Sequence, residues 1–205
     1  MELKKLFLET CLQYNSDVKI HEVLWSEIEK KYSQKSRFYH NLEHLMNMFQ
    51  ELNEVRNQIK DFEIITFSVF YHDIIYKASS KDNEEKSAEL AVSRLGKLQL
   101  SEHNLQTIEQ QILATKKHQF SENDDVNFLT DSDLSILGAE RNVYHKYTEN
   151  IRKEYSVYPD FLYKPGRKKA LQHFFEFETI FKTKHFKEKY EDKARENLKW
   201  EIDNL

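Results

Sequence analysis

Only three glycines and two prolines interrupt 205 residues, where an average chain of this length carries roughly 25. A polypeptide with so few positions for left-handed backbone or fixed turns has little from which to build hairpins, which excludes turn-rich β-sandwiches. Gly96, Gly138 and Gly166 lie far apart, so neither G-x-G-x-x-G nor G-x-x-x-x-G-K-[ST] can be written, and Rossmann sites and glycine-built phosphate loops are excluded as well. Few breakers together with many Lys, Glu, Leu and Gln predict an all-α chain. Charged residues make up 32% and the mean hydropathy is -0.79, yet 14 Phe and 11 Tyr are spread along the sequence. That is apolar surface for a packed core rather than a disordered chain.

The single cysteine, Cys11, rules out an internal disulfide framework, a cysteine zinc finger and an iron–sulfur cluster. Among Phe7, Leu8 and Leu12 it reads as a small buried hydrophobe. No apolar h-region follows Met1-Glu2-Leu3-Lys4-Lys5, which argues against a signal peptide. The longest strongly apolar stretch, Ile64 to Tyr71, is too short to span a bilayer. A net charge of -4 gives no electrostatic case for a nucleic-acid polymer. The expectation is a soluble cytoplasmic protein with neither a membrane nor a nucleic-acid partner.

Helical periodicity runs almost without interruption and no linker or repeat divides the chain. Helices are predicted over Glu2 to Tyr14 and Asp17 to Tyr32, and Leu42, Leu45, Met46, Phe49, Leu52 and Val55 trace another apolar stripe. Asp61 can cap a helix that is apolar nearly all round, which marks it as central. Asp82 with Glu85 has capping-box spacing, Ser101 can cap the next helix, and Asp124 or Asp125 opens one ended by Gly138. A helix from about Glu140 to Val157 precedes a loop, Tyr158 to Gly166, that holds both prolines. Too few residues follow for an independent core, so residues 1–205 are predicted to form one domain, with the helices of 140–205 packed on the rest.

The candidate chemistry lies in the histidines and aspartates. His40 and His44 share a helix face. His72-Asp73 ends the most apolar helix, where a carboxylate is dragged into the core without a basic residue in the preceding turn. Buried carboxylates are costly unless paired or bound to metal, so a divalent cation is the natural partner. Imidazole with carboxylate suits Mn, Fe, Co, Ni or Zn; Mg is kept as a further candidate. The bland alternative is that His40 and His44 cover a helix face and Asp131 caps a helix.

The order His44, His72-Asp73, Asp133 resembles the H…HD…D signature of the HD-domain metal-dependent phosphohydrolases. Arg37-Phe38-Tyr39-His40-Asn41-Leu42-Glu43-His44 also resembles the Tyr-His-Asn-x-x-His motif of cyclic-nucleotide phosphodiesterases. Tyr71 to Tyr76, Asp82 to Ala88, Ala114 to His118 and Asp131 to Gly138 are similar to an uncharacterised bacterial group of predicted HD phosphohydrolases. The resemblance covers about 37–138, with a weaker echo over 155–167, and it implies a single-domain HD-type helical bundle.

It also implies roles. His44, His72, Asp73 and Asp133 would be metal ligands, with Asp131 competing with Asp133 and otherwise acting behind it or as a helix cap. Metal-activated water would attack a phosphate ester of a nucleotide or related small phosphorylated metabolite, with His40 protonating the departing oxygen and Asp73 in the catalytic set. Arg37 and Lys116 are candidates for phosphate contact or plain surface charges, and Glu84 can orient a water or a ligand. Asn83 stands where many HD proteins carry a third histidine, and His118 can be a fourth. One divalent ion is therefore expected before two. The alternatives are a non-catalytic HD-type binding or sensing module and an iron-dependent HD oxygenase, the latter disfavoured by Asn83.

Overall fold

The structure is a computed structural model that describes residues 2–205. It is an all-α, single-domain bundle of ten α-helices among the described residues: α1 Leu3–Leu12, α2 Val18–Tyr32, α3 Leu42–Glu54, α4 Phe62–Tyr71, α5 Asn83–Leu95, α6 Glu102–Ala114, α7 Asp124–Leu134, α8 Arg141–Glu154, α9 Asp160–Phe175 and α10 Lys184–Asn204. None of them is long and apolar enough to cross a membrane.

Helix α4 is the axis of the fold. Every residue in it except Glu63 is buried, and α1, α3, α5, α6 and α7 pack around it. Its two hydroxyls are accommodated in the core because they bond back along the helix, Thr66 to the Phe62 carbonyl and Ser68 to that of Ile64. Phe7 meets Phe70 edge-on at 5.1 Å, and Phe49 and Trp25 close around the same ring. Such buried aromatics are worth about 3–5 kcal/mol each against truncation. This packing fixes the C-terminus of α4, and with it the position of His72 and Asp73.

Caps explain most boundaries. Asp61 accepts the Ile64 N–H and Ser101 that of Asn104. Asp82 does occupy the N-cap of α5, but its carboxylate takes the Ser80 hydroxyl and Lys86 instead of a helix N–H. The cap of α7 is Asn123 rather than Asp124 or Asp125. Asp125 is occupied elsewhere: it accepts the backbone N–H groups of Lys60 and Asp61, tying the start of α4 to the start of α7.

Two expectations are corrected by tertiary contacts. The stretch Tyr158 to Gly166 is no loop, since α9 begins at Asp160 and runs through Pro165. The missing proline N–H forgoes one helical bond, which is offset where Tyr163 and Leu171 are buried and Arg167 pairs with Glu201. Gly138 closes a 3₁₀ turn, Ser135–Gly138, without left-handed backbone. Its smallness serves a close approach: a Cβ there would lie 2.6 Å from Cβ of Tyr190 on α10.

Candidate metal centre

Three helix ends deliver the side chains. Asn41 caps α3, its side-chain oxygen accepting the N–H groups of Glu43 and His44, which sets His44 in the first turn. His72 is the C-cap of α4, and Asp133 lies near the end of α7. His44 and His72 are buried, and one donor atom from each of His44, His72 and Asp133 lies within 4.8 Å of the others. His44 Nε2 is 3.2 Å from Asp133 Oδ1 and 3.3 Å from His72 Nε2. Asp73 flanks the trio, its Oδ2 3.3 Å from His72 Nε2.

The donor set fits a cation. His72 Nδ1 lies 2.8 Å from the Val69 carbonyl, which can only accept, so Nδ1 carries the proton. The neutral ring therefore aims a bare Nε2 at His44 Nε2 and at two carboxylates. Something positive must sit among these atoms, either protons or a metal. With metal–nitrogen bonds of about 2.1 Å, two nitrogens on one ion stand about 3–3.4 Å apart, close to the observed 3.3 Å.

Electrostatics agree. Burial pushes the His72 imidazole down, but the charges of Asp73 and Asp133 outweigh it and raise it to about 9. Burial pushes Asp133 up, yet the hydrogen bonds from His118 and His44 hold it well below the usual carboxylate range. For His44 burial prevails and the ring is pushed down. At pH 7 the metal-free site thus keeps its carboxylates ionised and a proton on His72. Metal binding at pH 7 should release a proton, and affinity should tighten about tenfold per pH unit until about 9. Calorimetry in buffers of different ionisation enthalpy measures this, and binding without proton release would contradict it.

His118 supports the centre from the turn that follows α6. Its Nε2 lies 2.7 Å from Asp133 Oδ2, leaving Oδ1 for His44 and His72. It occupies left-handed backbone, φ 50°, three residues past the Thr115 C-cap of α6, a conformation that glycine or asparagine adopts more readily. Asn83 cannot replace a third histidine: its buried amide is spent on the backbone of Lys77, bracing the segment before α5.

His40 stands beside the trio. Its Nδ1 is 2.6 Å from Glu154 Oε2, its Nε2 is 3.9 Å from Asp73 Oδ2, and its ring stacks on Tyr76. Burial pushes His40 down, but the Glu154 hydrogen bond and the charges of Asp73 and Glu154 leave it raised overall. Glu154, on α8, also accepts the N–H groups of Tyr39 and His40 and the Tyr76 hydroxyl. Nothing in the sequence marked Glu154, because next to Arg152 and Lys153 it looks like part of a solvated helix face.

Three assignments change. Arg37 is not a phosphate contact: it is buried and donates to the backbone carbonyls of His40, Asp73 and Ile74, so it locks the two halves of the site together. Lys116 is not in the cavity wall: its ammonium is bonded to the Lys81 carbonyl and Glu85 and lies 3.9 Å from Glu84. Asp131 is no rival to Asp133. It points to the C-terminal segment, accepting the N–H groups of Lys182 and Thr183 and the Thr183 hydroxyl, and it offsets the buried Lys182 ammonium. Asp131→Asn should therefore cost about 1–3 kcal/mol of stability and leave metal affinity within a few-fold. Denaturant unfolding and a metal titration check this, and an unchanged stability with tenfold weaker metal binding would reverse the assignment.

The centre opens into a cavity of about 650 Å³ lined by His40, His72, Asp73, Glu84, His118 and Asp133 on one side and by residues of α8 and α9 on the other. No family model, no curated protein and no solved structure matches the chain.

Proposed function

We propose that the protein is a metal-dependent phosphohydrolase acting on a phosphate ester of a small metabolite. The observation that carries this reading is His40: a histidine braced at Nδ1 by a buried glutamate, with Nε2 toward Asp73, in the wall of the cavity that holds the metal centre. A structural metal site has no use for such a group, whereas ester cleavage needs a proton for the leaving oxygen.

His44, His72 and Asp133 would hold one ion, with Asp73 completing the set. A divalent ion there would offset charge on phosphoryl oxygens and lower the pKa of a water. The chain's own residues do the rest. Glu154 fixes the His40 tautomer and favours its protonated form, so Nε2 is an N–H donor aimed into the cavity. Arg37 binds the His40 and Asp73 carbonyls, which keeps acid and ligand in register. His118 orients Asp133, and Glu84, half-exposed at the cavity wall and pushed up by burial, is placed to bond a water or a substrate hydroxyl.

Elemental analysis of the purified protein, followed by a phosphomonoester panel with Mn, Fe, Co, Ni, Zn and Mg, tests the proposal. It expects bound metal and metal-dependent phosphate release. Two irons per chain with oxygen consumption would favour an oxygenase. Metal and ligand binding without turnover would favour a sensing module.

A further inference from the structure

The cavity has two unlike ends. At one are the carboxylates and imidazoles of the metal centre. At the other, Tyr147, Tyr155, Tyr158 and Tyr163 from α8, α9 and the turn between them form the wall. Tyr155 lies 6.3 Å from Tyr158 and 5.9 Å from Tyr163, centroid to centroid. These rings are held from outside the cavity by Arg152, which donates to the carbonyls of Tyr155 and Tyr158, pairs with Asp160 and lies 4.6 Å over Tyr163. Such a wall is preorganised to stack a flat ring, because its side chains are already ordered before a ligand arrives.

Charge sets the second limit. Among the described residues, Arg167 is the one Lys or Arg that lines the cavity. Its guanidinium is neutralised by a two-pronged pair with Glu201, at 2.8 and 3.1 Å, and its remaining fork donates to the Tyr147 hydroxyl. Arg37 and Lys182 are bound to other groups, and Lys116, outside the wall, is held by the Lys81 carbonyl, Glu85 and, at 3.9 Å, Glu84. Asp73, Asp133 and Glu84 meanwhile present carboxylates to the same space. One phosphate finds its counter-charge at the metal centre with His40, but a second would lie in a wall with no free cation.

We infer that the cavity takes a phosphomonoester with a single phosphate and an uncharged aromatic group, its ring stacked within the Tyr147–Tyr155–Tyr158–Tyr163 wall. The phosphate end rests on the hydrolase reading, whereas the aromatic end stands on the wall itself.

Calorimetry on the full chain loaded with Mn²⁺ tests this with three probes that resist hydrolysis. They are the methylene phosphonates corresponding to adenosine 5′-monophosphate and ribose 5-phosphate, and α,β-methylene adenosine diphosphate. The adenosine monophosphate analogue should bind about tenfold tighter than the ribose analogue, the usual gain from stacking one base on an aromatic side chain. The diphosphate should bind about tenfold weaker than the monophosphate, an expectation of comparable size for one uncompensated charge. Tyr158→Ala should remove most of the advantage of the base and Tyr158→Phe should keep it. If the alanine variant does not fold, the wild-type and phenylalanine comparisons decide. Equal binding of the adenosine and ribose analogues, no binding of the adenosine analogue, or tighter binding of the diphosphate overturns the inference. Base-dependent binding with no phosphate release from adenosine 5′-monophosphate under any metal would instead overturn the hydrolase reading and leave the aromatic end standing.

Discussion

Asp133→Asn should weaken metal binding by more than about 100-fold, beyond the 10–100-fold typical of groups that only support a ligand. The side chain keeps its shape, but the negative charge that faces His44 and His72 is gone. Asp133 Oδ1 faces His44 at 3.2 Å and His72 at 3.8 Å, while Oδ2 takes the His118 hydrogen bond. An amide presents one oxygen and one NH₂, so it cannot satisfy both sides at once. The unfolding temperature of the wild-type protein should rise with added Mn²⁺ through mass action, and that of the variant should not. A metal titration giving the same affinity for both would show that the ion, if bound, sits elsewhere.

His40→Ala should lower kcat about 10²–10⁴-fold on an alkyl phosphate while metal occupancy is unchanged. Glu154 retains the Tyr39 and His40 N–H groups and the Tyr76 hydroxyl, so the buried carboxylate is not stranded. The loss should shrink on p-nitrophenyl phosphate, whose leaving group departs without a proton. Steady-state rates on the two substrates, with metal content measured on the same samples, separate the outcomes. An equal loss on both would make His40 a general support of the site, and no loss on either would make it a bystander.

What could be read from the sequence follows a physical divide. The central helix α4 was legible because a run such as Phe62 to Tyr71, apolar on every face, has only one place to go. The Asp61 and Ser101 caps were legible because capping acts over three residues. His44, His72 and Asp133 could be nominated from residue type and order, and the structure brings them to one point. The residues that read differently are those whose partners are remote in sequence. Arg37 looks like a free cation until Asp73 and Ile74, 36 and 37 residues on, present their carbonyls. Asp131 and Asp133 share one helix and differ only in what faces them, the Lys182–Thr183 backbone in one case and the histidines in the other. Glu154 reaches His40 across 114 residues. Pro165 and Gly166 read as breakers, and the pairing of Arg167 with Glu201 on α10 outweighs them.

The most direct test of the central claim is reconstitution. Protein stripped with a chelator should release no phosphate from a responsive phosphomonoester, and activity should return in proportion to added Mn²⁺, reaching its plateau at one ion per chain. Phosphate release that persists in the stripped protein would contradict the claim, as would one bound ion per chain that restores no activity.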